Sequence, residues 1–307
     1  MFSYLFQADL RGAWGLILSE DVMSNATWKN EEPFNLIFNE ECLSGMSRIP
    51  DGSIDLILCD LPYGTTQCKW DSIIPLDRLW EQYKRIIKDR GAIVLTASQP
   101  FTSLLVASNI KDFRYSWVWE KSKASGYLNS KKRPLCAHED ILVFSKKAPV
   151  YYPQMTLGVP YSKGTALRPT DVYGTQKETT VESKDGKRYP RSVQYFKTAE
   201  SEGKVSHPTQ KPTALFEYLI KTYTNEGDVV LDNCIGSGTT AIACINTNRR
   251  FIGFELDKKF AEIAADRVRE RIPGFEYIKR YNKNTDSLVA GADKTTARKC
   301  IETMVSV

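Results

Sequence analysis

From Asn35 to Arg271 short apolar runs alternate with longer stretches whose apolar residues recur at helical spacing, and this alternation restricts the fold more than anything else in the chain. The runs are Asn35–Phe38, Ile54–Cys59, Ala92–Thr96, Phe113–Trp119, Asp140–Phe144, Asp228–Leu231 and Phe251–Phe254, bounded by turn residues such as Pro50-Asp51-Gly52, as buried strands are. Helices are predicted over 76–89, where Gly91 follows as a stop, over 100–110 behind Pro100, and over 212–224, 239–247 and 257–271. Strands separated by helices of this length need crossover connections, which gives a largely parallel sheet. The rhythm breaks at 146–206. Tyr151 to Ser206 holds nine Lys/Arg, six Asp/Glu, six Tyr, five Gly and four Pro without a helical stripe, so an inserted, loop-rich module with some short strands is expected there. The chain therefore divides into an unassigned segment 1–34, one half of an α/β domain at 35–150, the insertion 151–206, the second half at 207–280, and a polar tail 281–307.

Composition narrows the functional classes. With 307 residues, 42% of them hydrophobic, the chain can bury a large core. Lys and Arg exceed Asp and Glu by 42 to 37, a net charge of +5, so a nucleic acid would be met by a local basic patch. No apolar run approaches the roughly 20 residues that span a bilayer, and Trp14–Leu18 is too short for a secretory core. Seven cysteines without a Cys-x-x-Cys pair, and only two histidines, speak for reduced thiols and against a zinc site. The expectation is a soluble, cytoplasmic α/β protein with no membrane partner and no metal.

Two turns carry chemistry. In Val229-Val230-Leu231-Asp232-Asn233-Cys234-Ile235-Gly236-Ser237-Gly238-Thr239-Thr240 a strand ends on an acid, a loop with two glycines follows, and a helix begins. Open α/β sheets bind cofactors at such a carboxyl end, where glycine lets the backbone approach the ligand. No Gly-Lys-Ser/Thr follows, which disfavours a triphosphate loop. The next strand delivers Glu255, 23 positions after Asp232, where an acid accepts hydrogen bonds from ribose hydroxyls. This pair suits a nicotinamide cofactor as well as an adenosyl one. The second turn is Asp60-Leu61-Pro62-Tyr63, delivered by the apolar run Ile57–Cys59. A carboxylate and the next backbone carbonyl can both accept from one flat NH2 group, Pro62 stiffens the turn, and Tyr63 can stack on the ring that bears the amine.

Taken together, these stretches resemble a known family. Asp60-Leu61-Pro62-Tyr63 resembles the Asp-Pro-Pro-Tyr motif of amino-methyltransferases acting on nucleic acid. Leu231–Thr240 resembles their S-adenosylmethionine loop, His207–Pro212 the stretch before it, and Asn39–Leu43 a Gly-Asp-Cys-Leu stretch whose acid touches the cofactor's adenine. The order, with tetrad first, insertion next and cofactor loop last, looks like the beta class of DNA adenine-N6 or cytosine-N4 methyltransferases. The resemblance implies a Rossmann-like, doubly wound sheet and an enzyme that extrudes a base from double-stranded DNA and methylates its exocyclic amine by direct in-line attack. Asp60, Leu61, Pro62 and Tyr63 would be catalytic. Glu41, Lys211, Asp232, Gly236, Gly238, Thr239 and Glu255 would hold S-adenosylmethionine. The acid at position 60 resembles the adenine enzymes, with cytosine-N4 the alternative and an inactive cofactor-dependent DNA-binding module a more distant one. A homodimer and a cognate restriction enzyme are further partners that the class implies. Leu61 departs from the family's proline and Asn233-Cys234 from its Pro-Phe; neither change removes a catalytic heteroatom.

For DNA contact, Lys121, Lys123, Lys131, Lys132 and Arg133 form an acid-free basic stretch around Ser125-Gly126-Tyr127, expected to be a loop that grips phosphate. The insertion occupies the position of the family's target-recognition region, and Arg168, Arg188 and Arg191 are its candidates for reading guanine edges.

Overall fold

The computed structural model describes residues 35–64, 71–163, 180–203, 205 and 210–279. The segment 1–34, Arg168, His207 to Thr209 and the tail 281–307 lie outside the described residues. In chain order the elements are β1 (Leu36–Asn39), α1 (Cys42–Met46), β2 (Ile54–Asp60), α2 (Leu76–Ile86), β3 (Ile87–Ala97), α3 (Phe101–Ser108), β4 (Phe113–Ser125) and β5 (Cys136–Phe144). The insertion follows with β6 (Thr156–Leu157), β7 (Tyr161–Lys163), β8 (Val181–Ser183), β9 (Lys187–Arg188) and β10 (Val193–Phe196). The second half holds α4 (Thr213–Tyr223), β11 (Val229–Asp232), α5 (Thr239–Asn246), β12 (Arg250–Glu255), α6 (Lys258–Arg269) and β13 (Ile278–Lys279).

Nine strands form one sheet in the order β10-β4-β5-β3-β2-β11-β12-β1-β13. Every neighbouring pair is parallel except the two made by β5, which runs antiparallel to both β3 and β4. The sheet is thus the mostly parallel, doubly wound one that the alternation predicts. Buried residues alternate along β2: Leu56 and Leu58 join the core built with Leu215, Phe216, Leu219 and Tyr223 of α4 and Ala241 to Cys244 of α5, while Ile57 and Cys59 point to the opposite layer. That layer contains α2, whose Leu79, Trp80, Tyr83 and Ile86 are buried.

The decisive adjacency is β2 beside β11. They pair in parallel with Leu56 opposite Val230 and Ile57 opposite Leu231, although 174 residues (230 − 56) separate each pair. Both strands therefore end on the same edge of the sheet, and the turns after Asp60 and Asp232 leave it side by side.

Three local expectations are corrected. The helix predicted over 76–89 ends at Ile86, because Ile87 turns extended and pairs with Ile54 at the start of β3. Gly91 is accordingly no helix stop. It lies inside β3, where a Cβ would sit 2.8 Å from the Asp55 carbonyl oxygen and 2.7 Å from the Ile87 side chain. The strand predicted as Phe113–Trp119 continues to Ser125 and forms a long hairpin with β5, so Lys121 and Lys123 belong to a strand, not a loop. The described part of the insertion forms two small two-stranded sheets, β6-β9 and β7-β8, and its last strand joins the main sheet beside β4.

Candidate active site

The edge where β2 and β11 end opens into a cavity of about 740 Å³, within the ~300–1,000 Å³ usual for ligand sites. Asp60 to Tyr63, Glu41, Lys211, Asp232, Gly236, Thr239 and Glu255 all line it. The two turns separated in sequence thus share one crevice.

On the side formed by the turn after β2, Asp60 is the hub. Its Oδ2 accepts from Lys211 Nζ at 2.5 Å; its Oδ1 accepts from Tyr63 Oη at 2.8 Å and from Thr96 Oγ1. Thr96 is brought there by register, since it lies directly opposite Asp60 on β3. Tyr63 stacks on Phe101 with ring centroids 5.3 Å apart, which fixes the ring plane, and Gly64, at φ +68, donates its N–H to Asp71 to close the turn. Leu61 is buried, so the residue in place of the family's proline anchors the turn by packing.

Lys211, expected on the cofactor, has its ammonium on this carboxylate instead. Its side chain is only 7% exposed and lies between Asp60 and Glu139, 3.4 Å from the latter. Burial alone would lower its pKa, but the charges of Asp60 and Glu139 outweigh that and hold it above the usual value. Glu139 also pairs with Lys121 at 2.6 Å. Four side chains of alternating sign, Lys121, Glu139, Lys211 and Asp60, therefore run from the hairpin into the cavity. Burial, followed by the charges of Asp60 and Glu139, pushes the Tyr63 phenol well up, so it donates its proton and keeps it.

The other side is built on β11 and β12. Asp232 accepts from Cys234 N at 3.0 Å and from Thr240 Oγ1, and burial lifts its pKa from 3.8 to about 6. Glu255 accepts from Gly236 N at 2.9 Å and Asp257 N at 2.8 Å; burial outweighs those bonds and lifts it from 4.5 to about 7. Gly236 and Gly238 both have positive φ. A Cβ on Gly236 would meet nothing closer than 3.9 Å, whereas one on Gly238 would press on Ala264 at 3.0 Å. The first glycine thus borders open space and the second lets the loop pack on α6. Ser237 Oγ donates to Gln210 Oε1 at 3.0 Å, and Thr239 Oγ1 to the Lys211 carbonyl at 3.3 Å, tying the loop to the segment that carries Lys211. Glu41 caps α1 by accepting from Leu43 N and Ser44 N while lining the cavity. Phe260 and Phe216 also line the wall, which supplies aromatic surface where Cys234 has none. Carboxylates for hydroxyl donors, a glycine bordering open space and aromatic walls suit an adenosyl cofactor.

The basic candidates separate. Lys121 is committed to Glu139, while Lys123, Lys131, Lys132 and Arg133 are exposed on the hairpin. The Arg188 guanidinium donates to the Gly186, Lys187 and Val159 carbonyls and lies 4.3 Å from the Tyr161 ring centroid. Its donors are thus turned to the backbone of the small sheets. Arg191 is exposed. Thr96, Phe101 and Glu139 escaped sequence reasoning. Thr96 had a signal as the polar end of an apolar run, and Glu139 as an acid heading another.

Comparison with known proteins adds three findings. A family model described as DNA methylase, of the N6/N4 type, matches residues 54–266, over half of the chain. Among curated relatives, the type II methyltransferase M.HpaI of Haemophilus parainfluenzae is 27% identical over 251 residues, covering 77% of this chain and 74% of that protein. The DNA adenine methyltransferase YhdJ of Escherichia coli (strain K12) is 27% identical over 254 residues, covering 76% and 82%. Among solved structures, the M1.HpyAVI–SAM complex aligns with a TM-score of 0.51 at 24% identity over 76% of this chain and 98% of that one. The cytosine-N4-specific PvuII DNA methyltransferase aligns with a TM-score of 0.53 at 16% identity over 78% and 89%. At these identities the structural likenesses speak for the fold.

Proposed function

The chain belongs to the N6/N4 family of DNA methylases, which depend on S-adenosylmethionine, and from that premise we propose that it methylates the N6 amine of adenine in double-stranded DNA after extruding the base. The observation that carries this reading is the shared cavity: Asp60 to Tyr63 on one side, Asp232, Gly236 and Glu255 on the other, at the ends of adjacent parallel strands. Glu41, Asp232, the glycine loop and Glu255 would hold S-adenosylmethionine, which would supply a methyl on a positively charged sulfur able to keep the bonding electron pair as the amine takes the methyl.

The chain's own residues position the amine. The Asp60 carboxylate and the Leu61 carbonyl accept its two N–H bonds, which draws electron density onto nitrogen and exposes its lone pair. Tyr63, braced by Phe101, stacks on the extruded base and offsets part of the few kcal/mol that unstacking costs. Lys211 and Thr96 fix the Asp60 carboxylate, so that it is held in place when the methylated amine sheds its proton to it. Lys123, Lys131, Lys132, Arg133 and Arg191 contact the duplex. Lys211 serves the reacting amine through Asp60 and reaches the cofactor only by way of its segment's bonds to the loop.

Incubation of wild type and Asp60→Ala with labelled S-adenosylmethionine and DNA tests the assignment. The variant is expected to bind the cofactor as wild type does and to transfer no methyl group; wild-type turnover would overturn it. Nucleoside digestion of the product is expected to yield N6-methyladenine. N4-methylcytosine would instead assign the enzyme to the cytosine branch, whose PvuII member shares the fold.

A further inference from the structure

We propose that the tip of the β4–β5 hairpin, Tyr127 and Leu128, is a wedge that enters the duplex beside the target and fills the gap left by the extruded base. The inference rests on the base extrusion proposed above and adds the residues that drive it.

Position is the first argument. Asp60 lies opposite Thr96, and Thr96 opposite Ile141, so the three are level across β2, β3 and β5. From Ile141 the hairpin continues five residues back to Cys136, which pairs with Ser125; at ~3.3 Å per residue it projects about 17 Å past the level of Asp60. It projects beyond the edge on which the cavity opens, and Glu139 at its base is part of the cavity wall. The tip therefore stands about 17 Å farther out than Asp60 along the strand direction, a distance at which the base stack, not the reacting amine, would lie.

Exposure is the second. Leu128 is 97% exposed and Tyr127 80%, next to the half-exposed Leu135. These side chains are not on a loose end. Asn129 N donates to Gly126 O, Ser130 N to Tyr127 O, and Lys132 N and Arg133 N to Asn129 O, so consecutive turns hold the tip in shape. An aromatic and a leucine presented in this way on a formed turn gain nothing in water, but an apolar side chain of this kind can insert between base steps.

Charge selects the partner. Between Lys121 and His138 the hairpin carries five Lys/Arg and no Asp or Glu. Four of them, Lys123, Lys131, Lys132 and Arg133, are exposed around the apolar pair. A ring of cations about a small hydrophobic point fits a phosphate backbone with a stack behind it.

The experiment uses a duplex carrying the methylated sequence, with 2-aminopurine in place of the methylated base, whose fluorescence rises when it leaves the stack. Wild type is expected to raise the signal several-fold. Tyr127→Ala with Leu128→Ala is expected to abolish most of that rise and to lower kcat/KM at least tenfold on the natural duplex. Its affinity for unrelated DNA should stay within threefold, because the cations remain, and its thermal midpoint should not move, because neither side chain is packed. A mismatch opposite the target, which weakens the pair in advance, is expected to restore most of the lost rate, as is Leu128→Phe in the Tyr127→Ala background. Equal fluorescence and turnover in variant and wild type would overturn the wedge while leaving base extrusion intact. So would a defect that the mismatch does not relieve, or a variant whose sole change in sedimentation is loss of a dimer. Wild-type methylation without any rise would remove extrusion itself, and the wedge with it.

Discussion

Glu255 offers the sharpest quantitative test, because the cofactor proposed to bind there would couple to its ionisation. In the ligand-free protein burial lifts this carboxyl to about 7, against the partial relief of the Gly236 and Asp257 N–H groups and with the neighbouring Asp257 and Asp232 charges adding to the rise. Hydroxyl groups that donate to it bind the ionised form, so binding must expel any proton present. The sign follows: cofactor affinity is lost as pH falls through 7 and reaches a plateau above it. With a free-state pKa of about 7 the weakening factor is about 11 at pH 6 and about 1.1 at pH 8, a ratio near tenfold, with about 0.9 proton released per cofactor at pH 6. Isothermal titration of S-adenosylmethionine into wild type and Glu255→Gln, at both pH values and in buffers of different ionisation enthalpy, measures affinity and proton release together. The difference between the two proteins is the observable, since the cofactor's own amino and carboxyl groups titrate identically against both. Equal affinity ratios in wild type and Glu255→Gln, or no excess proton release by wild type at pH 6, would refute the coupling. In the ligand-free fold the same upward shift contributes stability that is complete below the ordinary carboxyl value and is lost as pH rises through 7. Wild type should therefore lose stability relative to Glu255→Gln across that interval.

Lys211→Met is expected to lower methyl transfer about a hundredfold and to destabilise the fold by roughly 3–5 kcal/mol, since it leaves the Asp60 and Glu139 carboxylates without their shared cation; single-turnover kinetics and urea unfolding measure the two effects. Gly238→Ala should lose about 1–3 kcal/mol in urea, because the residue sits at φ +84 and its new Cβ meets Ala264 at 3.0 Å. Replacing Lys131, Lys132 and Arg133 by Ala should flatten the slope of log affinity against log salt by about 0.9 per lost phosphate contact, about 2.7 in all. An unchanged slope would show that this face of the hairpin lies away from the phosphates.

The fold was legible because its signals are local. An apolar run of five residues closed by a turn, followed by a helical stripe, is a crossover unit wherever it occurs, and Val229–Thr240 and Ile54–Tyr63 each read correctly in isolation. Where strand and helix signals overlap, legibility fails. Ile86-Ile87 continues the helical stripe of α2, yet Ile87 is drawn into β3 by its partner Ile54, a residue 33 positions earlier (87 − 54). Lys121 and Lys123 look like loop residues because a hairpin that leaves the sheet is wet on both sides and loses its apolar alternation. The insertion was legible as irregular, but β10 was not: it is a four-residue strand defined by the edge of β4 that it meets.

The site shows the same division more sharply. Asp60, Tyr63, Gly236 and Glu255 could be named because each stands at the end of an apolar run, where strands deliver side chains to a sheet edge. Thr96 and Glu139 could not be assigned to the site, because what brings them to Asp60 is strand order. Thr96 comes from a parallel neighbour and ends level with Asp60; Glu139 comes from β5, whose antiparallel direction presents the beginning of the strand at the edge where its neighbours end. A reading that looks for function after strands will overlook an acid before one. That reversal has an electrostatic consequence. Three carboxylates from parallel strands, Asp60, Asp232 and Glu255, converge on one rim of the sheet, and two of them are already lifted toward neutrality by burial. Asp60 is the one proposed to accept hydrogen bonds from a neutral amine. It is also the one that the fold provides with a buried ammonium, and Glu139 helps hold that ammonium there. The antiparallel strand thus brings to the rim the anion that fixes Lys211 on the Asp60 carboxylate, and leaves Asp232 and Glu255, on the side proposed to hold the cofactor, to be ionised by what would bind them there.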